Sequence, residues 1–305
     1  MNFVNNSSSG FKNLLDPSLV SKLKSLELKA KTVVEGFKVG LHRSPYHGFS
    51  VEFSEHKPYT QGDPIKNIDW KVYGKSDKFF IKQFEEETNL SCHILLDISA
   101  SMNYKEIGEI TKLEYGITLA ASLSYLMNQQ QDAVGLSLYS DKIENYLPPK
   151  AARVYLHSIL SSLQNINPVN KTETGDCLNS IAQKIKKRGL VIVISDFFDS
   201  TESILSALKH FKYKKNEVIV FQLLDPVEKS FAFGNDAVFV DKETEEEITT
   251  QPYQIQKSYQ TAMAEFLHTL KSECLNNKIE YNLIETTTPF DKALFAYFKK
   301  RVKLN

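Results

Sequence analysis

"SCHILLDISAS", residues 91–101, decides the fold. Its apolar run ends in Asp97, and two serines follow at alternate positions, Ser99 and Ser101. Outward from it, strand-like and helix-like segments alternate. "LEYGITLAASLSYLMNQQ", "ARVYLHSILSSL", "DCLNSIAQKIKK" and "TESILSALKHF" carry helical spacing, as do a segment at about 253–275 and "PFDKALFAYFKKRV". Between them "AVGLSLYS", "GLVIVIS", "EVIVFQLL" and "KIEYNLIET" read as strands, with "AVFVDKETEEEITT" as an inserted hairpin. Near-continuous apolar strands separated by amphipathic helices are what a parallel sheet covered on both faces requires. Residues 89–305 are therefore expected to form a doubly wound, mostly parallel α/β domain.

Residues 1–88 read differently and form an N-terminal arm. The first twelve are rich in Asn and Ser. From Pro17 to about Gly36, Leu19, Leu23, Leu26, Ala30, Val33 and Val34 recur at steps of three and four, which predicts one amphipathic helix. Residues 37–88 hold four glycines, three prolines and short aromatic runs such as "FSVEF" and "FFIKQFE", so an irregular, partly β segment is expected there. Its aromatics, Trp70 above all, need a surface, so the arm should pack on the main domain.

Composition narrows the function classes. Of 305 residues, 37 are Lys or Arg and 37 Asp or Glu. A zero net charge argues against bulk capture of nucleic acid or of an anionic membrane. Cys92, Cys177 and Cys274 are odd in number, far apart and without metal-ligand spacing, which suits a reduced, cytoplasmic chain. No signal peptide is visible at the start, and no apolar run approaches the length of a membrane span.

In a doubly wound sheet the binding crevice lies at the carboxyl ends of the strands. Asp97 stands at one such end, and residues two apart in extended chain project to one side, so Asp97, Ser99 and Ser101 can aim three oxygens at one point. "GLVIVIS" ends in Asp196 in the same way, and the loop "NKTETGD" offers Thr172 and Thr174. One carboxylate with neutral hydroxyls suits a hard divalent cation.

This set resembles the metal-ion-dependent adhesion site of von Willebrand factor A domains. The resemblance implies a von Willebrand factor A/Rossmann-like fold, with Asp97, Ser99, Ser101 and Thr172 on the ion and Asp196 holding a coordinated water. Thr172 is preferred to Thr174, which stays open because Glu173 stands where that loop has an Asp. Mg²⁺ is the expected ion, with Mn²⁺ and Ca²⁺ as alternatives. Upstream, "VVEGFKVGLHRSPYHGFSVEFSEHKPYTQGDPIKNIDWKVYGKSDKFFIKQFEEETNL" is similar to the signature of the bacterial "domain of unknown function 58" family, most distinctively at Gly62, Asp63, Ile68, Asp69 and Trp70. Lys57, Lys66 and Lys75 stand where that family has arginines, which keeps the charge but loses the bidentate fork. Membership implies a MoxR-type AAA+ ATPase partner and an adaptor or co-chaperone role in complex assembly.

The remaining candidates have simpler explanations. Asp63 and Asp69 sit in turn chemistry. His42, His47 and His56 fit no ligand spacing, and His93 faces a core strand. Asp199 is expected to cap the helix beginning near Thr201. No nucleotide-binding or nucleophile-elbow motif occurs, so a non-enzymatic, metal-dependent protein-binding module is the expectation. The alternative is a metal-assisted hydrolase using the same ion site, with Asp199 or Glu173 as base.

Overall fold

The computed structural model describes residues 15–42, 56–58, 73–74, 79–82, 90–166, 174–233, 237–240, 247–250 and 252–302. The "GD…IDW" stretch, His47, Lys66, Lys75, Thr172 and Glu173 lie outside them.

The arm opens with two helices where the sequence predicted one. In α1 (Pro17–Ser21), Asp16 accepts the Ser18 N–H at 2.9 Å and proline takes the first helical position. In α2 (Leu26–His42), Ser25 Oγ accepts the Leu28 N–H at 3.1 Å. Two independent caps, at Asp16 and Ser25, explain the break. α2 also runs past Gly36, through His42. Beyond it, β1 (His56–Pro58) pairs antiparallel with β2 (Phe80–Lys82), giving the arm β content.

The main sheet is built from β3 (Ser91–Asp97), β4 (Ala133–Tyr139), β5 (Ile143–Lys150), β6 (Leu190–Ser195), β7 (Glu217–Leu224) and β10 (Glu280–Glu285). Its order is β10-β7-β6-β3-β4-β5, with every pairing parallel except β4–β5. A hairpin, β8 (Ala237–Val240) with β9 (Glu247–Thr250), stands apart. The connecting helices are α3 (Lys112–Gln129), α4 (Arg153–Gln164), α5 (Thr174–Lys184), α6 (Thr201–Tyr213), α7 (Pro226–Ser230), α8 (Pro252–Asn276) and α9 (Phe290–Val302). The expected doubly wound, mostly parallel α/β architecture is present.

β5 is the strand the sequence did not suggest. Its "IENYLPPK" alternates partly exposed residues and carries Pro148 and Pro149, which only an edge strand tolerates. Gly135 makes room for it: a Cβ there would lie 2.6 Å from the Leu147 carbonyl oxygen.

Strand side chains alternate between two cores. Ile94, Leu96, Ile192, Ile194 and Phe221 face α2, α3, α4 and α9 on one side. Leu95, Val191, Val193 and Val220 face α5, α6 and α8 on the other. Leu15, Val20, Ala30, Val33, Val34 and Phe37 belong to the first core, so α1 and α2 are part of the domain's packing.

Candidate metal and docking site

The parallel register places the predicted residues together. Leu96 pairs with Ile194 and Asp97 with Tyr139, so Asp97 and Ser195 end adjacent strands side by side. Asp97 is fully buried. Its Oδ1 accepts the Ser99 N–H at 2.9 Å, and its Oδ2 accepts the Ser195 hydroxyl at 2.7 Å. After Ser99 the chain turns into a short 3₁₀ segment, Ala100–Asn103, so the extended geometry expected through Ser101 stops early. The two serines converge all the same, with their hydroxyl oxygens 3.1 Å apart.

Burial first, and then the nearby Asp196 carboxylate, push the Asp97 carboxyl up to about 7, against hydrogen bonds from Ser195 and from the Ser99 backbone and hydroxyl.

Asp196 follows β6 in a bent loop. Phe197 takes a left-handed φ of 60° although it is not glycine, a conformation that costs about 1–2 kcal/mol. Its complete burial and its N–H bond to Ser195 Oγ at 2.8 Å hold it there. The bend lets Asp196 Oδ1 accept the Phe198 N–H at 3.2 Å. Asp196 Oδ2 meets the Lys112 ammonium at 2.8 Å, with the two side chains 1% and 0% exposed.

Thr172 lies outside the described residues. Thr174 opens α5, is 1% exposed, and its hydroxyl has no hydrogen-bond partner among the described residues. Gly175 permits this placement, because a Cβ there would sit 1.9 Å from Ser203 Oγ on α6. Asp199 does not cap α6 as expected. Ser200 takes that place, its Oγ 3.4 Å from the Ser203 N–H, while Asp199 accepts the Thr174 N–H at 2.8 Å and the Ser200 N–H at 2.6 Å. Asp199 thus ties the Thr174 loop to the Asp196 loop. His93 is buried, and among the described residues no cluster of three His, Cys, Asp or Glu is placed to hold a metal.

Four neighbours were not singled out by sequence reasoning. Lys112 binds Asp196 and also Glu228, at 2.5 Å. Asp225, buried at the end of β7, accepts the Glu106 and Ile107 N–H groups at 2.9 and 3.1 Å and so pins the loop that leads into α3. Ser195 completes the set. Three of these were open to reading. Asp225-Pro226-x-Glu228 after an apolar strand is a capping box with proline at the first helical position, and both of its reciprocal bonds form. Lys112 is a cation at a helix N-terminus, against the macrodipole, which signals a buried partner.

The oxygens fit a divalent ion in part. Oxygens around Mg²⁺ at about 2.1 Å stand about 3 Å apart along an octahedral edge, the spacing of the Ser99 and Ser101 hydroxyls. Asp97 and the unpartnered Thr174 hydroxyl add suitable donors. Asp196 is already committed to an ammonium.

The chain matches the "Protein of unknown function DUF58" family over residues 55–268. It belongs to the DUF58 family. The upstream signature had implied the same membership. This DUF58 chain is similar to uncharacterized proteins of Mycobacterium tuberculosis (Rv1480) and Mycobacterium bovis (Mb1516), each 23% identical over 234 residues, 75% of this chain and 72% of theirs. Among solved structures it is similar to the conserved hypothetical protein BatB of Bacteroides thetaiotaomicron, at 19% identity and a TM-score of 0.45, over 70% of this chain and 99% of that one. It is also similar to the SpRpn10 VWA domain, at 14% identity and a TM-score of 0.40, over 67% and 94%.

Proposed function

We propose that the carboxyl edge of the sheet is a divalent-cation-dependent docking point for an acidic residue of a protein partner. The observation that carries this reading is the convergence of the Ser99 and Ser101 hydroxyls beside buried Asp97. Neutral hydroxyls and a single direct carboxylate leave a bound Mg²⁺ or Mn²⁺ with net positive charge and room for another oxygen ligand. An aspartate or glutamate from a partner completes that shell. Thr172 or Thr174 contributes a further oxygen, while Asp196, expected to hold a water of the ion, is paired with Lys112. Through the DUF58 resemblance, the partner is a MoxR-type AAA+ ATPase in the cytoplasm, with this chain as adaptor.

Docking is favoured over metal-assisted hydrolysis by the state of Asp199. Its carboxylate accepts two backbone N–H groups, which suits positioning rather than general-base work.

Titration calorimetry of the full chain with Mg²⁺ or Mn²⁺ tests the ion. Asp97→Asn keeps the shape, and binding should vanish while the fold persists; native affinity in that variant sinks the assignment. With Mg²⁺ the protein should capture a MoxR-type AAA+ ATPase from its own lysate, and EDTA or Ser99→Ala should release it. Metal-dependent hydrolysis of phosphoester or peptide substrates, lost in Asp97→Asn, would replace docking by catalysis.

A further inference from the structure

A divalent-ion site built on Asp97 and Asp196 would draw on both carboxylates. Here a lysine from the first turn of α3 has taken one of them. The Lys112 side chain is fully buried, its ammonium 2.8 Å from Asp196 Oδ2 and 2.5 Å from Glu228 Oε1. The Phe198 ring covers it, 4.9 Å from the ammonium to the ring centroid, and the Tyr104 ring flanks it at 5.7 Å. Glu228 is fixed in turn, because its Oε2 accepts the Asp225 N–H at 2.7 Å. Burial alone would drive the lysine toward neutrality, but the two carboxylates outweigh it and keep it charged. One ammonium serves two carboxylates, and the shortfall appears at Glu228, whose carboxyl is held above the usual range by burial despite its partner.

We propose that Lys112 is the built-in counter-cation of this site: by holding Asp196 it withholds that carboxylate from an incoming divalent ion and sets the site's affinity low. This rests on the ion-docking reading above. A dry ion pair is costly to break from one side, so Asp196 does not swing freely to the ion's water shell. The ammonium also subtracts one negative charge from the ion's surroundings. The ion is then held by Asp97 and hydroxyls alone, a set that fills well only when a partner carboxylate joins it. Lys112 thereby makes metal and partner bind together rather than in sequence.

The test is Mn²⁺ binding to the full chain, read from the electron paramagnetic resonance of free Mn²⁺. Wild type should bind weakly and through Asp97. Lys112→Met should bind at least ten-fold more tightly, and Lys112→Met/Asp196→Asn should lose that gain. If Lys112→Met does not fold, Lys112→Met/Glu228→Gln leaves one fewer unpaired carboxylate and should show the same gain. Asp97-dependent binding that is unchanged or weaker without Lys112, or a gain that survives Asp196→Asn, overturns the role of Lys112 and leaves the ion site standing. No Asp97-dependent binding in any of these proteins removes both.

Discussion

The two ends of the same sheet treat buried polar groups in opposite ways. At the amino end they are paired off. Arg301 of α9 binds Asp132 just before β4, and Asp132 also accepts the Leu90 N–H at 3.3 Å. Asn216, before β7, accepts the Gly189 N–H at 3.0 Å and donates to the Phe211 carbonyl at 3.2 Å. At the carboxyl end Asp97, Asp196 and Asp225 are bonded too, but other buried groups are left without a partner. Among the described residues, the buried side-chain atoms without a hydrogen bond are the hydroxyls of Tyr139, Thr174 and Thr286 and one oxygen of Asp291; Tyr139 ends β4, Thr286 follows β10, and Thr174 and Asp291 lie in the first turns of α5 and α9. The Tyr139 hydroxyl lies beside that of Ser195, whose Oγ already accepts the Phe197 N–H and donates to Asp97. A buried polar group without a partner costs about 1–3 kcal/mol. One end therefore serves stability, and the other holds unmet hydrogen-bonding capacity where a ligand would meet it.

The amino end should break hardest. Asp132→Ala removes the partner of Arg301 and the acceptor of Leu90 while both stay in place. Losing one member of a buried pair costs about 3–5 kcal/mol, and the lower part of that range applies because Arg301 keeps some solvent contact. Urea unfolding should show the loss, with divalent-ion binding unchanged at temperatures where the variant is folded. A cost below about 1 kcal/mol would mean the pair is not what closes this end.

His93, in the amino half of β3, gives the same end a pH signature. Burial lowers its imidazole from an ordinary value of 6.5 to about 4. The unfolded chain therefore takes up a proton below about 6.5 that the folded chain refuses until about 4. Stability from this group is complete at neutral pH and falls as pH drops through that window, by up to ~3 kcal/mol. His93→Leu should flatten the acid limb of a stability–pH curve between 6.5 and 4. An unchanged limb would assign acid unfolding to other groups.

How far each end was legible in the sequence follows from the range of its forces. Strand and helix periodicity is local, so β3, β6, β7, α3 and α6 could be read directly. Asp97, Ser99 and Ser101 share one short segment, and their convergence was legible even though the 3₁₀ turn after Ser99 was not. β5 was missed because its two prolines suit an edge strand and disguise it as a loop. The commitment of Asp196 to Lys112 spans 84 residues. No periodicity encodes a contact between a helix start and a distant strand end, so the ion pair that most alters the site became visible only with the fold. Asp199 illustrates the same limit: its position before a helix suggested a cap, but its carboxylate reaches across to Thr174.

The smallest expected effect separates the two ends most cleanly. Thr174→Val is nearly isosteric and deletes a buried hydroxyl that bonds to nothing among the described residues. Were this hydroxyl part of the stabilising framework, as at the amino end, its loss would cost about 1 kcal/mol or more. Because it stands unpaired, the metal-free variant should be as stable as wild type, or more stable by up to about 1 kcal/mol, since an unmet desolvation penalty disappears. The same substitution should weaken Mn²⁺ binding if Thr174 supplies an oxygen to the ion, and should leave it unchanged if Thr172 does. Chemical denaturation without metal and Mn²⁺ titration on the same protein read both quantities. A clear destabilisation without metal would show that the carboxyl end is satisfied after all, and the contrast between the two ends would fail at the residue where it is sharpest.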